Sequence, residues 1–168
     1  MKTRDITELG LLLSVGFVLS YLESQIPVII AVPGMKIGLA NIATMFVLYR
    51  QGSLKAFFFM HLRVLLTGFL FAGASTIIFS LCGGILCIVV MTILKRFDFI
   101  SILGVSMAGA IGHNMGQIII ACIISQNIRI LYYFPVLCLS AVVSGLFIGY
   151  VSFHFLKLYN KMVTKNHE

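Results

Sequence analysis

Arg63 lies in the middle of an apolar run, Phe57-Phe58-Phe59-Met60-His61-Leu62-Arg63-Val64-Leu65-Leu66. A guanidinium there is suited to hold an acidic or carbonyl group. At bilayer depth it costs ~3 kcal/mol on insertion scales. Such a residue faces a protein interior or a wet cavity and has a partner there. The competing reading is a side chain that snorkels to the interface. Arg63 stands eight residues beyond Lys55, about 12 Å along a helix, so snorkelling would be strained. His61 is two residues away, points elsewhere, and is assigned no role.

A second polar constellation is His113, Asn114 and Gln117. His113 and Gln117 are four apart and share a helical face with Gly109, and Asn114 borders it. Imidazole and amide groups need partners where water is absent. They are either glue between helices or hydrogen-bonding groups for a ligand. Lys36 and Asn41 form a third group, at the start of a short helix, where a helix N-terminus favours an anion. The segment before them, Ile26 to Met35, is apolar but broken by Pro27, Pro33 and Gly34, so it is not regular helix. It is expected to fold over one end of the bundle as a lid, or to lie as a plain interfacial loop.

Other chemistries are excluded by what is scarce. The chain has five acids and four cysteines. No Asp-rich pair exists to hold magnesium against a diphosphate, and no Gly-x-x-x-x-Gly-Lys-Ser/Thr loop exists for ATP. No Ser-His-Asp or paired-carboxylate set is suggested. Cys82, Cys87, Cys122 and Cys138 all fall in apolar runs, without Cys-x-x-Cys or zinc spacing. They read as small apolar fillers, so no metal is expected.

The elements that position these residues read as membrane helices. The sequence is 60% hydrophobic and 10% charged, with a mean hydropathy of +1.09. A soluble domain carries about 25% charged residues. One domain over residues 1–168 is expected. A span needs about 20 helical residues, which allows about six. The predicted helices cover about 6–23, 37–49, 54–71, 76–94, 100–125 and 131–158, with Gly73-Ala74-Ser75 as a tight turn. The tail from Tyr159 is polar and expected to fray. Lys2 and Arg4 before an apolar run suggest a signal peptide, but Asp5 and Glu8 interrupt the basic head and no Ala-x-Ala-like site follows. The first run is therefore read as a retained helix.

Charge sets the orientation. With both termini cytoplasmic, Lys2, Arg4, Arg50, Lys55, Lys95, Arg96, Lys157, Lys161 and Lys165 lie inside, and Lys36 and Arg129 outside. That matches the positive-inside rule. The net charge of +7 is thus a topology signal. Its scatter over separate segments argues against nucleic acid. Glu23 ends the first helix outside, to pair with Lys36 or Arg129 or to sit among headgroups. Small residues form packing stripes at Gly104, Ala108, Gly112 and Gly116, and at Ala141, Gly145 and Gly149. Gly10 and Ser14 on the first helix could pack or dock a partner membrane protein.

Three segments carry a family resemblance: Pro33-Gly34-Met35-Lys36-Ile37-Gly38-Leu39-Ala40-Asn41-Ile42, Leu62-Arg63-Val64-Leu65-Leu66, and Gly104 through Gln117. Together they resemble the Gx transporter group, also called heptaprenyl diphosphate synthase component I. That group is similar to the substrate-binding S components of energy-coupling-factor (ECF) importers. The likeness runs from the first predicted helix to the sixth. It implies a six-helix fold binding a micronutrient near the outer face, under the loop joining helices 1 and 2. It also implies a transmembrane coupling subunit and ATPases as partners, with ATP used only by them. S components typically carry Ala-x-x-x-Ala for that docking, where this chain has Gly10 and Ser14.

The expectation is therefore a non-catalytic, solute-binding subunit in a bacterial cytoplasmic membrane. Lys36, Asn41, Arg63, His113, Asn114 and Gln117 are its candidate ligand-binding residues. With two cations and no acid expected in the pocket, the ligand is expected to be anionic or carbonyl-rich. The alternatives are an accessory of a heptaprenyl diphosphate synthase or a stand-alone secondary transporter.

Overall fold

The computed structural model describes residues 3–25 and 38–165. Among the described residues the chain is helical, with no strand. In chain order it forms α1 (Thr3–Gln25), α2 (Asn41–Gln51), α3 (Ser53–Thr67), a π-helical turn (Gly68–Ala72) and α4 (Gly73–Leu94). Then come α5 (Ile102–Ser125), a 3-10 turn (Ile128–Tyr133) and α6 (Phe134–Lys165). Among the described residues four helical stretches are long and apolar enough to cross a membrane: Ile6–Gln25, Ser53–Leu94, Ile102–Ser125 and Ile128–Met162. Large apolar side chains such as Leu11, Phe58, Phe69, Ile123, Leu139 and Val143 face outward. In water such a surface would aggregate, whereas against acyl chains it is at home. The protein is a multi-pass membrane protein.

The second stretch, Ser53–Leu94, is not one straight rod. Gly73 has φ +79° and ψ 165°, a conformation that side-chain-bearing residues pay heavily to adopt. It turns the chain so that α4 packs back against α3. Turns of π type recur at functional positions, and this one sits beside the hollow described below.

At α2 the predicted start at residue 37 is corrected. Gly38 has φ +81°, which excludes it from the helix. Its carbonyl accepts the Asn41 amide at 2.8 Å, and regular helix begins at Asn41. Although only 11 residues long, α2 is the most enclosed element. Ala43, Met45, Phe46, Val47 and Leu48 are all 3% exposed or less. At the far end, α6 continues to Lys165, where fraying was expected from Tyr159. The Tyr159 ring packs against Phe46 at 5.3 Å and carries the Arg50 guanidinium at 5.1 Å, which ties the last turns down.

Small residues set the tightest contacts. A Cβ on Gly145 would lie 2.6 Å from the Met107 Cα, and one on Gly116 would lie 2.6 Å from the Cys82 carbonyl oxygen. So α6 and α4 each touch the backbone of α5. By contrast α1 is peripheral, with 11% of its span buried against 33% for the other three. Phe17 and Tyr21 hold it to Phe71 of the π turn, with ring centroids 4.9 and 5.1 Å apart.

One end of the bundle gathers charges. Arg50 at the end of α2 approaches Glu8 of α1 at 3.9 Å. Lys95, just past α4, donates to the Leu48 carbonyl at 2.6 Å and lies 4.9 Å from the Tyr49 ring centroid. Burial holds the Lys95 ammonium below the ordinary lysine pKa.

Candidate functional site

The opposite end holds a hollow of about 70 Å³, lined chiefly by α1, α3, the π turn and α4. By the same measure one water needs about 10–15 Å³, so the space suits about five water-sized groups. Its lining includes Ser20, Glu23 and Ser24 from α1, Arg63 and Thr67 from α3, and Thr76 and Ser80 from α4. Asn41 opens α2 at its edge, and His113 of α5 completes it.

Arg63 is the centre of this arrangement. It is 8% exposed, so it reaches for neither interface. Its Nη2 donates to Asn41 Oδ1 at 3.0 Å and its Nη1 to Ser20 Oγ at 3.5 Å, the second at the weak limit of a hydrogen bond. Its Nε is buried with no protein partner among the described residues. Gly16 of α1 makes room for the stem: a Cβ there would lie 3.2 Å from Arg63 Cδ. The Thr67 hydroxyl, one turn on, donates back to the Arg63 carbonyl at 2.9 Å.

Glu23 corrects the expectation of a pocket without an acid. Rather than pairing with Arg129 or lying among headgroups, it lines the hollow, and its Oε1 accepts the Gly38 backbone amide. The anion favoured beside the start of α2 is thus supplied by the protein itself. Glu23 and Arg63 line the same space but are not in ion-pair contact.

The six residues proposed from sequence divide. Asn41, Arg63 and His113 line the hollow. Asn114 does not: its Nδ2 donates to the Leu137 carbonyl of α6 at 2.9 Å, the helix-gluing alternative. Gln117 is 6% exposed and packs by α4, with its Cγ 3.0 Å from where a Gly83 Cβ would stand. Lys36 and the lid residues Pro27, Pro33 and Gly34 lie outside the described residues. On α1, Gly10 and Ser14 face outward: nothing lies within 4 Å of a Gly10 Cβ, and the Ser14 hydroxyl donates to the Gly10 carbonyl at 3.1 Å.

Sequence reasoning missed Ser20, Ser24, Thr67, Thr76 and Ser80, and misplaced Glu23. A signal was available. Ser20 and Ser24, Arg63 and Thr67, and Thr76 and Ser80 are pairs four apart, each a polar stripe on an otherwise apolar helix.

Among the described residues no group of three or more His, Cys, Asp or Glu side chains could hold a metal ion. The four cysteines are free thiols.

No curated protein and no solved structure matches the chain. A family model, for heptaprenyl diphosphate synthase component I, matches residues 12–155. That match covers most of the length, from α1 deep into α6, and includes the segments that line the hollow. The chain belongs to the heptaprenyl diphosphate synthase component I family.

Proposed function

We propose that this protein is a non-catalytic, membrane-embedded solute-binding subunit, in the manner of an ECF S component serving a micronutrient importer. The observation that carries the proposal is the buried Arg63 beside a polar hollow in an apolar bundle. A guanidinium with few protein acceptors is expensive in such a setting unless a ligand or water completes its bonding. Asn41, Ser20 and His113 would orient the ligand with it. Asn114 and Gln117 would support the site by fixing α5 against its neighbours.

The six-span topology with both termini in the bacterial cytoplasm belongs to the same proposal. Its support is the charged end, where contacts bring Glu8, Arg50 and Lys95 together. The positive-inside rule makes that end cytoplasmic and puts the hollow on the outer side. Gly10 and Ser14, nearer the charged end, would then be open to a transmembrane coupling subunit. ATP would be hydrolysed by ATPases bound to that subunit.

The family name favours a second reading, a membrane accessory of a heptaprenyl diphosphate synthase. It would be an accessory because Glu23 is the one carboxylate among the described residues lining the hollow, and the sequence offers no Asp-rich pair to hold magnesium against a diphosphate.

The test is gentle purification of the tagged chain from its own membranes, followed by identification of attached proteins and bound small molecules. A coupling subunit with ATPases, plus a small molecule lost in Arg63→Ala, is the expected outcome. A soluble prenyltransferase with a long-chain prenyl diphosphate in the protein would overturn it in favour of the second reading. Uptake that persists in cells lacking the ATPases would point instead to a stand-alone secondary transporter.

A further inference from the structure

We infer that the ligand is a compact zwitterion, with acceptor oxygens at one end and a cationic donor at the other. The inference rests on the binding-subunit proposal and names the chemical class of its ligand. Arg63 offers five donor hydrogens. Among the described residues two find acceptors, at Asn41 and Ser20, and Nε is buried without one. Donors left over on a side chain this enclosed call for an acceptor that the described residues do not supply.

Glu23 presents the complementary demand. A carboxylate accepts at about four lone-pair positions, and among the described residues one hydrogen bond, from the Gly38 amide, takes one. The two charges line one hollow without touching. A lone anion would satisfy Arg63 and confront Glu23. A lone cation would do the reverse. A molecule carrying both charges satisfies each and leaves the sum unchanged, which matters most where the dielectric is low. Arg63 and Glu23 cancel, so the charged residues of the described lining sum to zero. The space of about 70 Å³ suits a short chain between the two charged ends.

The test uses the full-length protein in lipid nanodiscs. Unbranched ω-amino acids of two to six carbons are compared with carboxylates and amines of the same lengths. Binding is read by thermal shift and calorimetry, alongside mass spectrometry of molecules carried through purification. The expected result is an ω-amino acid that binds at least about tenfold tighter than either matched ion, a gap of about one decade in Kd. The Arg63→Met variant should lose that binding. Glu23→Gln should bring the zwitterion and the carboxylate within about threefold of each other. Its amide oxygen still accepts from Gly38, so gel filtration should show an unchanged fold.

A carboxylate that binds as tightly as the zwitterion, and more tightly in Glu23→Gln, would overturn the inference while leaving the site standing. So would a co-purified anion that lacks any cationic group. If neither the series nor the co-purified pool contains an Arg63-dependent binder, the binding-subunit proposal itself falls.

Discussion

Replacing Arg63 by methionine separates a binding role from a structural one. The apolar stem and most of the volume are kept, and the charge is removed. The stabilising side of the wild-type arrangement is the bond to Asn41 at 3.0 Å, with a marginal one to Ser20 at 3.5 Å. A bond to a charged group contributes about 1.5–3 kcal/mol, and the second adds little. Against this stands ~3 kcal/mol for a guanidinium at bilayer depth. The two nearly cancel, so Arg63→Met should change unfolding free energy by no more than about 1 kcal/mol. For a chain of this size that is a melting shift of about 2–4 °C. Ligand binding should meanwhile fall by about ten- to a hundredfold, the loss of one charge-assisted contact. The assay is denaturation in nanodiscs with and without ligand. A loss of about 3 kcal/mol or more in the ligand-free protein would refute the reasoning, because Arg63 would then be holding α1, α2 and α3 together.

Gly145→Val should push α6 off α5, because even a Cβ would stand 2.6 Å from the Met107 Cα. A loss of about 1–3 kcal/mol is expected, read as a lower melting temperature. Gly73→Ala should cost about 1–3 kcal/mol through its φ of +79° alone, since a Cβ there meets nothing within 4 Å; unchanged melting would disprove that strain. Asn114→Leu should lose the bond to the Leu137 carbonyl, about 0.6–2 kcal/mol between membrane helices, with ligand affinity within about twofold of wild type. A tenfold drop in affinity would return Asn114 to the site.

Hydropathy located the helices because an apolar run of about 20 residues has one use in a bilayer. Boundaries were less legible where backbone geometry decides them. Gly38 has positive φ, and nothing in a hydropathy window distinguishes it from Gly83 or Gly116, which lie inside helices, whereas the turn expected at Gly73-Ala74-Ser75 does fall at Gly73. The last turns of α6 were misjudged for another reason. Tyr159, Lys161 and Asn160 look like a solvated tail, but the ring of Tyr159 finds Phe46 and Arg50 across the bundle. That contact pairs residues more than a hundred positions apart.

The site was legible where a residue was costly and illegible where it was cheap. Arg63 announces itself because charge in an apolar run demands an explanation. Serines and threonines do not, because a helical hydroxyl can satisfy itself on the carbonyl three or four residues back, as Ser20 does on Gly16 at 2.9 Å. His113 and Asn114 were read as one cluster because they stand four and three residues before Gln117, yet neighbours on a helix point about 100° apart. One lines the hollow while the other reaches α6. Glu23 is the sharpest case. As the end of an apolar helix it looked like an interfacial acid. Instead its carboxylate accepts the Gly38 amide and lines the same hollow as Arg63. That single placement changes the expected ligand from an anionic or carbonyl-rich molecule to one of both charges. A site that carries its own counter-charge gains little from a second one, so selectivity should depend on Glu23 as much as affinity depends on Arg63.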